Sequence, residues 1–214
     1  MPYADVNDIH MYYEEQGGGA PLILLHGATG TIDDQVAASN WRSLVPLLSG
    51  MHRVIQIEHR GHGRTNNPAN TMTYEIIAAD ICAFIEQQGL APAHIAGVSD
   101  GGIIALQIGL TRPDLARTLI GVGANYTVDD RVRAAVAVLD PVFLERERPQ
   151  WARDLARRHD AHREPDYWRE LVRQLAVNSL TNPTWTEADL RRIPTPTLMI
   201  AGENDPFGNL EQMV

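Results

Sequence analysis

Short apolar runs alternate with helix-patterned segments through most of the first half of this 214-residue chain, and that alternation restricts the fold more than any other feature. Tyr3–Val6 and Ile9–Glu14 read as two strands joined at Asn7-Asp8, a pair suited to a tight hairpin. Leu22–Leu25, after the turn Gly17–Gly19, reads as a buried strand, followed by a helix-like Asn40–Leu48 and a strand Arg53–Ile57. A helix opens at Thr73-Tyr74-Glu75-Ile76 and runs to about Gln88, where Gly89 stops it. His94–Val98 reads as strand, Gly101–Leu110 as helix and Thr118–Val122 as strand. Strands separated by helices pair in parallel through right-handed crossovers. The expected class is therefore α/β, a mostly parallel sheet with helices on both faces.

The alternation stops at Asp129, and helical patterns follow one another to Leu190 with no strand between them. Pro165 is placed to open a helix whose Trp168, Leu171, Val172 and Leu175 share one face. Thr186-Glu187-Ala188-Asp189 caps a short helix, and Thr197–Ala201 returns to strand. The expected division is an α/β core of residues 1–126 and 186–214 and an all-helical cap of residues 127–185. Charge divides in nearly the same place: residues 131–192 hold 12 arginines against 10 acids, the remainder 6 against 17. The net charge of −9 disfavours a nucleic-acid partner, whose phosphates need a basic surface. Every basic residue is arginine. The absence of lysine rules out a Schiff-base mechanism and a Walker A phosphate loop. No apolar run approaches the roughly 20 residues that a membrane-spanning helix needs, so no membrane partner is expected. Cys82 is the single cysteine, and the N-terminus shows no basic-then-apolar leader, so a cytoplasmic location is expected.

Three motifs carry chemistry. Gly97-Val98-Ser99-Asp100-Gly101 stands between the strand His94–Val98 and the following helix. A sharp turn there lifts a serine hydroxyl clear of the sheet, and small residues beside it let neighbouring chain approach. The alternative is a glycine-rich turn holding an ordinary serine. His26-Gly27-Ala28 follows the strand Leu22–Leu25, where a turn can aim backbone N–H groups at a reaction centre. Ala28 N–H and Asp100 N–H would form the two-donor oxyanion hole, with His26 and Gly27 supporting the loop. Asp205 lies just past the strand Thr197–Ala201, where a carboxylate can orient a histidine; an aspartate opening a turn before Pro206 is the alternative.

Together with Arg60-Gly61-His62-Gly63-Arg64-Thr65 and Ile193-Pro194-Thr195-Pro196, these motifs fall in an order that resembles the α/β-hydrolase fold superfamily over most of the chain. The resemblance implies Ser99 as nucleophile, Asp205 as the triad acid, Ala28 and Asp100 as oxyanion donors, and a cap that shapes the substrate pocket. It implies no metal and no organic cofactor. The sequence departs from the family at Glu58-His59, where an aspartate is usual ahead of the Arg-Gly-x-Gly loop, leaving that loop's hydrogen bonding open. The larger departure is the base. The family's catalytic histidine follows a further helix and strand, of about 11 and 5 residues on average. Nine residues follow Asp205, and no histidine follows His162. The expectation is a chain that ends before its last strand, helix and histidine, with impaired or absent turnover and Thr197–Ala201 left as an open edge.

Of the histidines present, His26, His59 and His62 are placed on loops at the sheet's C-terminal edge, nearest Ser99. His159 and His162, three apart, could touch one metal, but surface solvation is the plainer expectation. Trp151, Tyr167, Trp168 and Trp185 are expected to pack the cap, with lining of the pocket by one or two of them as the alternative. The leading function is hydrolysis of a small-molecule ester, thioester or lactone through an acyl-enzyme. A binding or regulatory protein that keeps the pocket without the chemistry stands beside it, as does a related lyase or haloperoxidase. Serine at the elbow disfavours mechanisms that need a carboxylate nucleophile. These residues are compatible with a homo-oligomer as well as a monomer.

Overall fold

The computed structural model describes residues 2–33, 41–205 and 212. Seven strands form one sheet: β1 (Tyr3–Val6), β2 (Ile9–Gln16), β3 (Ala20–Leu25), β4 (His52–Ile57), β5 (Ala93–Val98), β6 (Ala116–Val122) and β7 (Thr197–Ile200). Their order is β1-β2-β4-β3-β5-β6-β7. The first two pairings are antiparallel and the rest parallel. The mostly parallel α/β class expected from the alternation is what forms. Asn7 turns the β1–β2 corner at φ +50°, a left-handed conformation that asparagine tolerates better than most residues.

Side chains on successive strand residues point to opposite faces, and the sheet uses both. On one face Ile23, Leu25, Ile55, Ile57 and Ile95 meet helices α2 (Tyr74–Gln87) and α3 (Asp100–Thr111) in the main core. On the other, Leu22, Leu24, Val54 and Ala96 pack with Val45 and Trp41. The helix expected over Asn40–Leu48 is shorter. Helix α1 is Val45–Leu48, with proline in its first turn, and Asn40 lies outside the described residues. Pro46 fixes where the helix can start, because a proline deeper inside would remove a backbone donor.

Between β6 and β7 run α4 (Asp130–Val136), α5 (Pro141–Glu147), α6 (Pro149–His159), α7 (Tyr167–Thr181) and α8 (Glu187–Leu190). Val132, Val136, Leu144, Leu155, Trp168 and Val172 form an apolar cluster of their own among these helices. Helix α7 serves two clusters. Trp168 and Val172 enter the helical one, while Leu171 and Leu175 join the main core. Pro165 does not open α7. The helix begins at Tyr167, after Asp166 at φ +67°, and the Asp160 carboxylate accepts from Asp166 N (3.1 Å) and Trp168 N (2.8 Å). Tyr167 and Trp185 pack against the main core, not only within the helical segment as expected.

β7 has β6 on one side and, among the described residues, no strand on the other. Leu198 and Ile200 on it are 54% and 44% exposed. Among the described residues, no helix is long and apolar enough to cross a membrane.

Candidate active site

Ser99 follows β5 and caps α3 with φ +52° and ψ −121°, a conformation that costs a non-glycine residue about 1–3 kcal/mol. Its N–H donates to Val122 O at 2.7 Å, and its carbonyl accepts from Gly102 N at 2.8 Å and Ile103 N at 3.1 Å. These contacts hold the strained turn. The flanking glycines are required by space: a Cβ on Gly97 would lie 2.0 Å from Gly101 O, and one on Gly101 would lie 2.5 Å from Leu25 O. Ser99 is half-buried, and its hydroxyl makes no hydrogen bond among the described residues.

β3 lies beside β5 with Leu25 opposite Gly97, so the loop after β3 borders the elbow. Three consecutive carbonyls in that loop each face a ring nitrogen of a different buried histidine. His26 Nδ1 is 2.8 Å from Gly27 O, His62 Nε2 is 2.5 Å from Ala28 O, and His159 Nε2 is 3.2 Å from Thr29 O. Backbone N–H groups fix two of the tautomers, because they need a ring acceptor. His59 N donates to His26 Nε2 at 3.1 Å, and Gly63 N donates to His159 Nδ1 at 3.1 Å. His26 therefore carries its proton on Nδ1 and His159 on Nε2. The N–H groups of Ala28 and Asp100 have no acceptor among the described residues. Burial lowers the pKa of His26, His59 and His159 well below the ordinary histidine value, and that of His62 to about 4.

Surface solvation of His159 is thus overturned: helix α6 turns it inward to the loops, while His162 remains exposed. Nothing local in the sequence signals this, because its partners lie 96 and 130 residues away. Arg163 adds to the junction, donating to the carbonyls of Gly63 (2.6 Å) and Thr65, and the Tyr167 hydroxyl donates to Gly61 O at 3.0 Å.

The substitution at Glu58 has a physical account. Its buried carboxylate accepts from Arg64 N (2.6 Å), Arg64 Nη2 (2.6 Å) and Arg64 Nε (3.1 Å). A Cβ on Gly63, at φ +49°, would sit 2.4 Å from Glu58 Oε2, so the longer acid is closely wrapped by the loop it supports. Arg60, likewise buried, pairs with Asp80 and Asp8.

Asp205 is half-buried in a tight turn, with its N–H donating to Gly202 O at 3.0 Å. Its carboxylate abuts the end of β6: a Cβ on Gly123 would lie 2.6 Å from Asp205 Oδ2. Gly123 follows Val122, the acceptor of Ser99 N, so residues 99 and 205 meet the same strand end. Burial pushes the Asp100 carboxyl up to about 6, against the opposing pull of a hydrogen bond from Tyr74. The Tyr74 hydroxyl also lies 3.3 Å from Ser179 Oγ on α7. All eight histidines lie among the described residues, and none is bonded to Ser99.

The profile of the Alpha/beta hydrolase family matches residues 22–214. A RutD protein from Azorhizobium caulinodans, whose name proposes carbamate hydrolysis, is 31% identical over 144 residues, 67% of this chain and 52% of its own. The (E)-2-((N-methylformamido)methylene)succinate hydrolase of Acinetobacter baylyi is 25% identical over 220 residues, covering 97% of this chain and 81% of its own. The meta-cleavage product hydrolase CumD from Pseudomonas fluorescens IP01 shares the fold, with a TM-score of 0.74 at 24% identity over 98% of this chain and 82% of its own. In the curated relatives at about 30% identity, the match spans 52% of one and 28% of another. With that profile spanning nearly the whole sequence, the chain belongs to the alpha/beta hydrolase family.

Proposed function

We propose that this protein is a serine hydrolase of small carboxylic esters, thioesters or lactones that works through an acyl-enzyme. The observation that carries the reading is Ser99, held at φ +52° on a turn whose flanking glycines leave no room for a side chain. In the first step, a bond forms between Ser99 Oγ and the substrate carbonyl carbon while the hydroxyl proton passes to a base. The bond to the leaving oxygen or sulfur then breaks, and that group departs protonated. Water repeats the sequence on the acyl-serine and releases the acid. The N–H groups of Ala28 and Asp100 stabilise the developing oxyanion, a contribution worth about 3–4 kcal/mol per donor in comparable sites. Asp205 would orient an imidazole supplied as base, because no histidine of the chain is bonded to Ser99. Relatives named as hydrolases support the reaction class.

Because no histidine of the chain is bonded to Ser99, turnover by these 214 residues is slow unless a base is supplied. The test is hydrolysis of p-nitrophenyl acetate, p-nitrophenyl butyrate and a γ-lactone by the chain, with and without added imidazole, beside Ser99→Ala. The expected result is imidazole-stimulated hydrolysis that falls at least about a hundredfold in Ser99→Ala. Equal rates in the two proteins would remove Ser99 from the chemistry. The same absence favours a second reading, a binding protein that keeps the pocket. Retention of an ester analogue with no Ser99-dependent turnover under any base would support it.

A further inference from the structure

We propose that His62 and His159 are positioning residues for the oxyanion loop, so that a helix of the segment between β6 and β7 helps set the geometry around Ser99. This rests on the reading of Ala28 N–H as an oxyanion donor. A peptide N–H can face a reaction centre only if the carbonyls around it are held in the remaining directions. In the loop after β3, the carbonyls of Gly27, Ala28 and Thr29 lie 2.8, 2.5 and 3.2 Å from ring nitrogens of His26, His62 and His159. The three imidazoles come from three places: the loop itself, the loop after β4, and the last residue of α6. His26 is local to the loop, whereas the other two tie it to separate parts of the fold.

The anchors are built to hold. His62 and His159 are 1% and 0% exposed. His159 has its second ring nitrogen engaged by Gly63 N at 3.1 Å, whereas neutral His62 has one N–H for two carbonyls, and the shorter contact, 2.5 Å to Ala28 O against 3.0 Å to Arg60 O, places that proton on Nε2. Their rings pack edge to face at 5.7 Å between centroids, and His62 lies 4.9 Å from His26. Arg163 and Tyr167 clamp the loop after β4 from the same side, through Gly63, Thr65 and Gly61 carbonyls. Displacing α6 would therefore release the Thr29 carbonyl, two peptide planes from the Ala28 N–H, and loosen the short loop in which that N–H is held.

Two measurements on the 214-residue protein decide the matter. The first is amide hydrogen exchange at Gly30, whose N–H donates to Gly27 O across the loop at 3.0 Å, in wild type, His159→Phe and His62→Phe, in variants that keep the wild-type circular dichroism. Exchange at this amide is expected to rise at least tenfold while that in β5 and α3 stays within twofold. Unchanged exchange at Gly30 overturns the proposal whether or not the protein is an enzyme. The second is phosphonylation of Ser99 by an alkyl fluorophosphonate with added imidazole. The Oγ–P bond forms, the P–F bond breaks, and the proton goes to imidazole. The Phe variants are expected to lose tenfold or more in the maximal rate with less than twofold change in half-saturating concentration. His159→Gln, which keeps an N–H donor in the Nε2 position, should return to within threefold of wild type. Equal loss in the Gln and Phe variants would also overturn the proposal, because packing alone would then explain it. If wild type is not labelled at Ser99, the hydrolase reading fails, and the exchange result still decides whether the histidines hold the loop.

Discussion

At the scale of the residue, the strain at Ser99 sets chemistry against stability. Ser99→Gly removes the conformational penalty at φ +52°, and part of that gain is offset by the greater freedom glycine has when unfolded. A net stabilisation of about 1 kcal/mol is expected, read as a rise of about 2–4 °C in Tm, together with loss of Ser99 labelling. Gly101→Ala should act oppositely. Its methyl would sit 2.5 Å from Leu25 O, backbone that cannot withdraw cheaply, so a loss of about 1–3 kcal/mol is expected in urea unfolding. Ser99 was legible in the sequence because its constraint is local: five consecutive residues state it. The role of Glu58 was half-legible, since its partner Arg64 lies in the same motif. His159 was not, because an inward-facing histidine and a solvated one look the same until chain 96 residues away is placed beside it.

At the scale of the element, the strands and the two main-core helices follow from periodicity, and the two misplaced helix starts have separate causes: Pro46 sets that of α1, and a carboxylate outside the helix caps α7. Pro165 looks like a helix start, yet α7 begins two residues later because Asp160 supplies the acceptors for its first turn. A cap offered by a residue beyond the helix cannot be read from the helix's own pattern. Asp160→Ala leaves the N–H groups of Asp166 and Trp168 without that acceptor. It is expected to cost about 1–2 kcal/mol in urea unfolding. An unchanged midpoint would mean that water replaces the carboxylate fully.

At the scale of the whole molecule, buried titrating groups make stability depend on pH in two directions. His26, His59, His62 and His159 titrate below the ordinary histidine value of 6.5 when folded. As pH falls through 6.5, the unfolded chain binds protons that the native chain refuses, so stability declines. Asp100 runs the other way. Its folded value of about 6 exceeds the ordinary 3.8, so the native state takes up that proton first and gains stability as pH falls from 6 towards 3.8. Four groups outweigh one, and the urea midpoint at pH 5.5 is expected to lie below that at pH 7.5. Asp100→Asn should raise the midpoint at pH 7.5, where the buried carboxylate is otherwise charged. One further consequence comes from α7, which has Trp168 and Val172 in one apolar cluster and Leu171 and Leu175 in the other. Melting either compartment strips a wall from its neighbour. Scanning calorimetry should accordingly record a single endotherm whose measured heat equals its van't Hoff value, with the cover and the body coming apart as one thermodynamic unit.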